Sequence, residues 1–256
     1  MEKRKYPAAP KQVYLFGTCL VDLFVPEVGM DALRLLEHLG LEVDFPMGQS
    51  CCGQPAYTTG NEESARSVAA AQMKLFAENR PIVVPSGSCA GMMRHHWPHL
   101  FAYDPVLAAQ AREIAERTFE LTEFLVEVMH IDLSAAKGSP VKVALHTSCS
   151  ARREMGTREH GLALLRALPG VELTEHGNES ECCGFGGAFS LKHPDISGAM
   201  VQDKTASLAA TGCERVVSAD CGCLLNIGHA AEHQGRNLSA GHLASFVVER
   251  LLGAKS

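Results

Sequence analysis

Ten cysteines stand in a chain of 256 residues: Cys19, Cys51, Cys52, Cys89, Cys149, Cys182, Cys183, Cys213, Cys221 and Cys223. Their spacing repeats. Cys19 to Cys149 is 130 residues, and Cys51-Cys52 to Cys182-Cys183 is 131. Cys89 to Cys223 is 134, or 132 if the partner is Cys221. Both adjacent pairs run into glycine, Gly53 and Gly184. Thiolates are metal ligands and nucleophiles, and four in one pocket suit a tetrahedral zinc ion or an iron–sulfur cluster. Each half therefore offers one set: Cys19, Cys51, Cys52 and Cys89, then Cys149, Cys182, Cys183 and Cys223, with Cys221 as an extra thiol. Buried cysteine can also be a small hydrophobe, but that does not account for two Cys-Cys-Gly pairs at matched offsets. Neighbouring side chains on an extended segment point opposite ways. Both thiols of a pair reach one ion only if the backbone kinks, which Gly53 and Gly184 can supply through positive φ. Cys213 has no repeat partner and is expected to be a core or surface thiol.

Other polar groups near the cysteines are read more plainly. His95, His96 and His99 around Trp97 suit a polar helix face, and Met92 suits a core position. Arg152 and Arg153 follow Cys149, where they either offset the charge of a thiolate site or form a solvated pair. Gly184-Phe185-Gly186-Gly187 lacks the G-x-G-x-x-G spacing and a following Lys-Ser/Thr. Its glycines instead let backbone amides approach sulfur.

The elements that must position these thiols repeat as well, so the chain is a duplication of a domain-sized unit. Strand-like Gln12–Gly17 and Val141–His146 each run into the first cysteine of a set. Helical spacing follows over Asp31–Leu39 and Gly161–Leu168, then strands Leu41–Phe45 and Val171–Thr174. After each Cys-Cys-Gly come helices Glu62–Glu78 and Pro194–Ala210, and then strands Pro81–Val84 and Arg215–Val217. Alternating strands and helices predict an α/β fold of two repeated small parallel-sheet, Rossmann-like lobes. Phe101–Gly138 is expected as a helical insertion in the first lobe, with helices over Asp104–Thr118 and Glu120–His130. The turn-rich Ala136–Pro140 places the junction, giving lobes 10–137 and 138–256. Loops at the carboxyl ends of parallel strands converge, so each set should gather at one sheet edge.

The chain carries a net charge of −6, with 46% hydrophobic and 20% charged residues. That is ordinary for a globular protein with a core and argues against a nucleic-acid partner. No apolar run reaches membrane-spanning length. Lys3-Arg4-Lys5 precedes an apolar stretch, but Asp22 interrupts it and no small-x-small cleavage site follows, so Val13–Val21 is read as a buried strand. Many thiols without an export signal point to a reducing, cytoplasmic compartment.

The doubled Cys…Cys-Cys-Gly…Cys pattern resembles the cysteine-rich (CCG) domain family, which includes a subunit of heterodisulfide reductase, the glycolate oxidase iron–sulfur subunit and the lactate-utilization protein A group. The phrases Gln49–Pro55, Pro85–Cys89, Glu181–Gly187 and Cys223–Gly228 are most similar to the last group. The resemblance spans about Val13 to Leu252. It implies an iron–sulfur electron-transfer subunit with one or two clusters, of the [4Fe-4S] type, per chain. It also implies two partner subunits, one carrying further clusters, in a complex that oxidises L-lactate to pyruvate. On this reading the chain carries no catalytic residue of its own. Two departures stand out. The family ends each copy with Cys-x-x-Cys, whereas this chain has Cys89-Ala90-Gly91-Met92 and Cys221-Gly222-Cys223, so the family's five-thiol non-cubane cluster is not carried over. Ser150 stands where relatives often have histidine. A zinc-bound scaffold and a thiol redox protein of the heterodisulfide reductase kind are the competing readings.

Overall fold

The computed structural model describes residues 4–253, which form two four-stranded, all-parallel sheets with flanking helices. The first sheet has the order β2-β1-β3-β4. Its elements are β1 (Gln12–Leu15), α1 (Cys19–Phe24), α2 (Pro26–His38), β2 (Glu42–Asp44), α3 (Gln54–Thr58), α4 (Glu62–Met73), β3 (Ile82–Val84), α5 (Gly87–Gly91), α6 (Trp97–Leu100), α7 (Pro105–Glu116), β4 (Thr118–Glu120) and α8 (Leu121–Glu123). The second sheet repeats that order as β6-β5-β7-β8. It comprises β5 (Val141–Leu145), α9 (Cys149–Arg153), α10 (Arg158–Ala167), β6 (Val171–Thr174), α11 (Phe189–Lys192), α12 (Pro194–Ala209), β7 (Arg215–Ser218), α13 (Cys221–His233), β8 (Ser239–His242) and α14 (Leu243–Leu252).

The central strands β1, β3, β5 and β7 are the apolar runs named above, and β3 is buried along its whole length. Helices on both faces cover such sheets, which is why their strands read as continuous apolar runs. In α2, Val28, Ala32, Leu35 and Leu36 recur at helical spacing and are buried. Pro26 opens that helix at its first turn, where a missing N–H costs nothing.

Each lobe contains a fourth strand that the pattern did not announce. Residues 118–120, expected inside or between helices, pair with β3 in the register Ile82↔Thr118 and Val84↔Glu120. The reason lies in tertiary contacts. Arg117 donates to the Arg80 carbonyl at 2.9 Å and to the Phe76 carbonyl. The Glu120 carboxyl caps the next turn by accepting from Thr122 and Glu123. β8 is Ser-Ala-Gly-His, a composition with no strand signal. The helical excess of the first lobe lies between β3 and β4, where α5, a π turn (Met92–His96), α6 and α7 stand against α13 alone in the second lobe.

The lobes share one hydrophobic core, which includes Leu35 and Leu36 on one side and Leu145, Leu165 and Val247 on the other. The contacts between them are reciprocal. Helix α14 of the second lobe packs on α2 of the first, and α8 of the first packs on α10 of the second. The same exchange brings α5 against α9 and α1 against α13, which sets the two cysteine-bearing edges face to face. No helix among the described residues is long and apolar enough to cross a membrane.

Candidate metal centre

In the first lobe three loops leave the carboxyl ends of β1, β2 and β3, and each delivers thiols. Cys19 opens α1, with the Thr18 side chain accepting from the Val21 amide. Cys89 lies in the first turn of α5, where the Ser86 hydroxyl accepts from its amide. Cys51 and Cys52 lie between them. Gly53 takes φ +89°, a conformation open to glycine at little cost, and its amide points back at the Cys51 sulfur at 3.4 Å. Cys19 and Cys51 sulfurs are 3.6 Å apart, and Cys52 and Cys89 sulfurs 3.4 Å. The Cys19 thiol, then the Cys52 thiol and the Gly53 amide hold Cys51 well below the ordinary thiol range. The donor Cys19 is pushed up by the same bond and by burial. Metal binding needs thiolates, and this loop already stabilises one.

The second lobe repeats the arrangement. The Ser148 hydroxyl caps α9 at Cys149, and Gly184, at φ +84°, aims its amide at Cys182 at 3.4 Å. Cys182 is held low by the thiols of Cys149 and Cys183. Cys183 and Cys223 sulfurs approach to 2.9 Å. Each Cys-Cys turn is anchored through its second carbonyl. Trp97 Nε1 donates to Cys52 O at 2.9 Å in the first lobe, and Asn226 Nδ2 donates to Cys183 O at 2.8 Å in the second.

The two sets open onto one cavity of about 340 Å³ between the lobes, lined by Cys19, Cys52 and Cys89 from one side and Cys149, Cys182, Cys183 and Cys223 from the other. Asp220 bridges its wall. One carboxyl oxygen accepts from Ser86 Oγ at 3.0 Å, Ser88 N at 2.9 Å and Ser88 Oγ at 2.7 Å, all on the opposite lobe. Eight free thiols in two strings and two inward-aimed amides form a donor set that fits thiophilic metal.

Two sequence comparisons bear on this arrangement. The cysteine-rich domain profile named CCG matches residues 13–94 and 143–228. The chain belongs to the cysteine-rich CCG domain family. A relative named lactate utilization protein A from Bacillus velezensis is 44% identical over 93% of this chain and 100% of its own length. The Bacillus subtilis protein of that name is 43% identical over the same shares. Among solved structures, a hypothetical protein from Helicobacter pylori superposes with a TM-score of 0.65 at 12% identity, covering 99% of this chain and 51% of that one. That last likeness concerns the fold alone.

In this CCG chain the eight repeated cysteines stand together as two groups of four. Cys221 lies between the groups. It is buried against Val21 and Val28 of the first lobe, and it lines both the thiol cavity and a wider groove of about 690 Å³ beside α2, α13 and α14. Cys213 is a core thiol, 5% exposed, donating to Leu208 O at 3.4 Å. Met92 is fully buried. His96 faces Glu154 at 3.3 Å and the Tyr57 ring. Arg152 pairs with Glu179 and donates to Thr147.

Sequence reading missed Asp220, His146, Lys204, Trp97 and Asn226. His146 is 1% exposed and lies against the second thiol set. Burial, then the nearby Lys204 charge, pushes its ring down to about 3, which leaves it neutral at neutral pH. Lys204 is itself 1% exposed and donates to Asn178 O. Asp220, His146 and Asn226 each stand three residues from a repeated cysteine, but nothing in that spacing announces which group each one meets.

Proposed function

We propose that the chain is an iron–sulfur electron-transfer subunit of a system that oxidises lactate. The observation that carries this reading is the gathering of two four-thiol strings on one cavity from six separate loops. Cys19, Cys51, Cys52 and Cys89 would hold one cluster, and Cys149, Cys182, Cys183 and Cys223 the other. A cluster so held supplies one-electron transfer at a potential set by its ligands, nearby hydrogen bonds and exposure. The inward amides of Gly53 and Gly184 favour the electron-rich sulfurs. The names of the relatives supply the substrate, and two partner subunits, one with further clusters, complete the path. The lobes divide at 137/138, and the reducing cytoplasm keeps the thiols free.

The test is anaerobic reconstitution with iron and sulfide, followed by iron and acid-labile sulfide analysis and EPR of the reduced protein. Brown protein with near-stoichiometric iron and sulfide is the expected result. Colourless, iron-free protein overturns the reading.

A second reading, structural zinc, draws on the sulfur separations. Tetrahedral zinc with bonds of about 2.3 Å sets sulfurs about 3.8 Å apart, near the 3.6 Å and 3.4 Å seen in the first lobe. Elemental analysis separates the two: about two zinc and no iron per chain would favour the scaffold.

A further inference from the structure

The two thiol sets are alike in backbone but not in what stands behind them. Leu15-Phe16-Gly17-Thr18-Cys19 in the first lobe corresponds to Leu145-His146-Thr147-Ser148-Cys149 in the second. Both second residues sit at the end of the first strand of their sheet and make the same bond to the neighbouring strand. Phe16 N donates to Val83 O at 2.9 Å, and His146 N donates to Val217 O at 2.8 Å. Phe16 packs edge-on against Phe76, with ring centroids 5.9 Å apart, and has nothing to offer a metal. His146 is 1% exposed, yet neither ring nitrogen has a hydrogen-bond partner among the described residues. A donor atom of that ring, Cys183 Sγ and Cys223 Sγ all lie within 4.8 Å of one another.

A buried imidazole with both nitrogens unpaired is costly in free energy unless something satisfies it. Water and protein partners are usual. Here the nearest functional atoms are two sulfurs of the candidate metal site. Neutral imidazole is also a common ligand for iron and zinc.

We propose that His146 is a direct metal ligand in the second lobe beside Cys183 and Cys223, taking the place of one of the two remaining thiols, Cys149 or Cys182, so that the two sites of this chain are chemically unequal: all-thiolate in the first, mixed imidazole–thiolate in the second. This rests on the reading that the second thiol set holds metal. Replacing thiolate by neutral imidazole removes negative charge from the ligand shell and raises a cluster's reduction potential. The second site is therefore the more readily reduced of the two.

The test uses the whole chain, grown with 15N-histidine or at natural abundance, reconstituted anaerobically with iron and sulfide, reduced, and examined by pulsed EPR. The expected result is a strongly coupled nitrogen on one of the signals that changes with the histidine label. It should disappear in His146→Cys, which offers a thiolate and keeps the iron content, and in His146→Phe, the residue the first lobe uses. It should persist in His176→Gln, a nearby buried histidine outside the donor trio. Full iron without histidine nitrogen coupling in the wild type overturns the proposal, and so does coupling that survives in His146→Cys. If the chain takes zinc and no iron, the iron–sulfur reading fails separately, and Co2+ loaded in place of zinc reads the same donor. Visible ligand-field bands that differ between wild type and His146→Cys then support His146, and coincident spectra overturn it. A protein that binds none of these metals overturns both.

Discussion

Replacing Gly184 by alanine tests whether the Cys-Cys-Gly turn is as tightly built as the structure shows. The residue has φ +84°, and a Cβ there would stand 2.6 Å from Ser197 O and 3.2 Å from Met200 Cβ. The left-handed conformation costs an L-residue about 1–2 kcal/mol. Crowding of a packed site adds about 1–3 kcal/mol, and the stiffer unfolded chain returns about 0.4–1 kcal/mol. The net loss is therefore about 1–5 kcal/mol. Two other glycines grade the argument. Gly53 has the same hand, φ +89°, but its Cβ would meet Ala65 O at 3.2 Å, so Gly53→Ala should cost less. Gly212, at φ +69°, has nothing within 4 Å. Gly212→Ala keeps only the conformational cost and should lose no more than about 1.5 kcal/mol. Urea unfolding of the metal-free proteins, followed by circular dichroism with a shared slope, gives the three differences. If Gly184→Ala falls within about 0.5 kcal/mol of Gly212→Ala, a spread too small for the crowding term, the close approach of Ser197 is refuted.

Three further outcomes are expected. Asp220→Ala strands the donors of Ser86 and Ser88, whose hydroxyls keep each other at 3.1 Å while Ser86 Oγ still accepts from the Cys89 amide, and should destabilise the protein by about 2–4 kcal/mol in the same unfolding assay. Cys183→Ser should lower metal bound to the second lobe by direct metal analysis, whereas Cys213→Ser, at a core thiol bonded to Leu208 O, should leave metal content unchanged. Burial pushes the Glu120 carboxyl up from 4.5 to about 8. The folded chain then holds a proton that the unfolded chain releases, so this contribution is complete below about pH 4.5 and declines as the pH rises to about 8. Subtracting the pH profile of Glu120→Gln from that of the wild type should isolate the decline, and a flat difference would show that Glu120 is not neutral in the fold.

The thiol sets and six of the eight strands among the described residues were legible because their signals are local. Cys-Cys-Gly at matched offsets needs no neighbour to be recognised, and β-branched runs such as Ile82-Val83-Val84 carry their own strand preference. β4 and β8 were not legible. Thr118-Phe119-Glu120 lacks the continuous β-branched run of β3 and is held in the sheet by Arg117 and Glu120 contacts that exist only after folding. Ser239-Ala240-Gly241-His242 has no β-branched or aliphatic bulk to announce a strand. His146 was hidden for another reason: in the sequence it ends a strand, and its nearness to Cys183 and Cys223 depends on how three loops close. Asp220 likewise acts across the lobe interface, 132 residues from Ser88.

The reciprocal helix exchange has a consequence for ancestry. Cutting the chain in half would leave α2 and α10 each without the helix that covers it. A one-unit forebear could have covered that surface by meeting an identical copy about a two-fold axis, as isologous dimers do. The present protein is then such a dimer with its subunits tethered end to end. The tether freed each former subunit to mutate alone, and the pair Phe16 and His146 marks a place where that symmetry has since been broken.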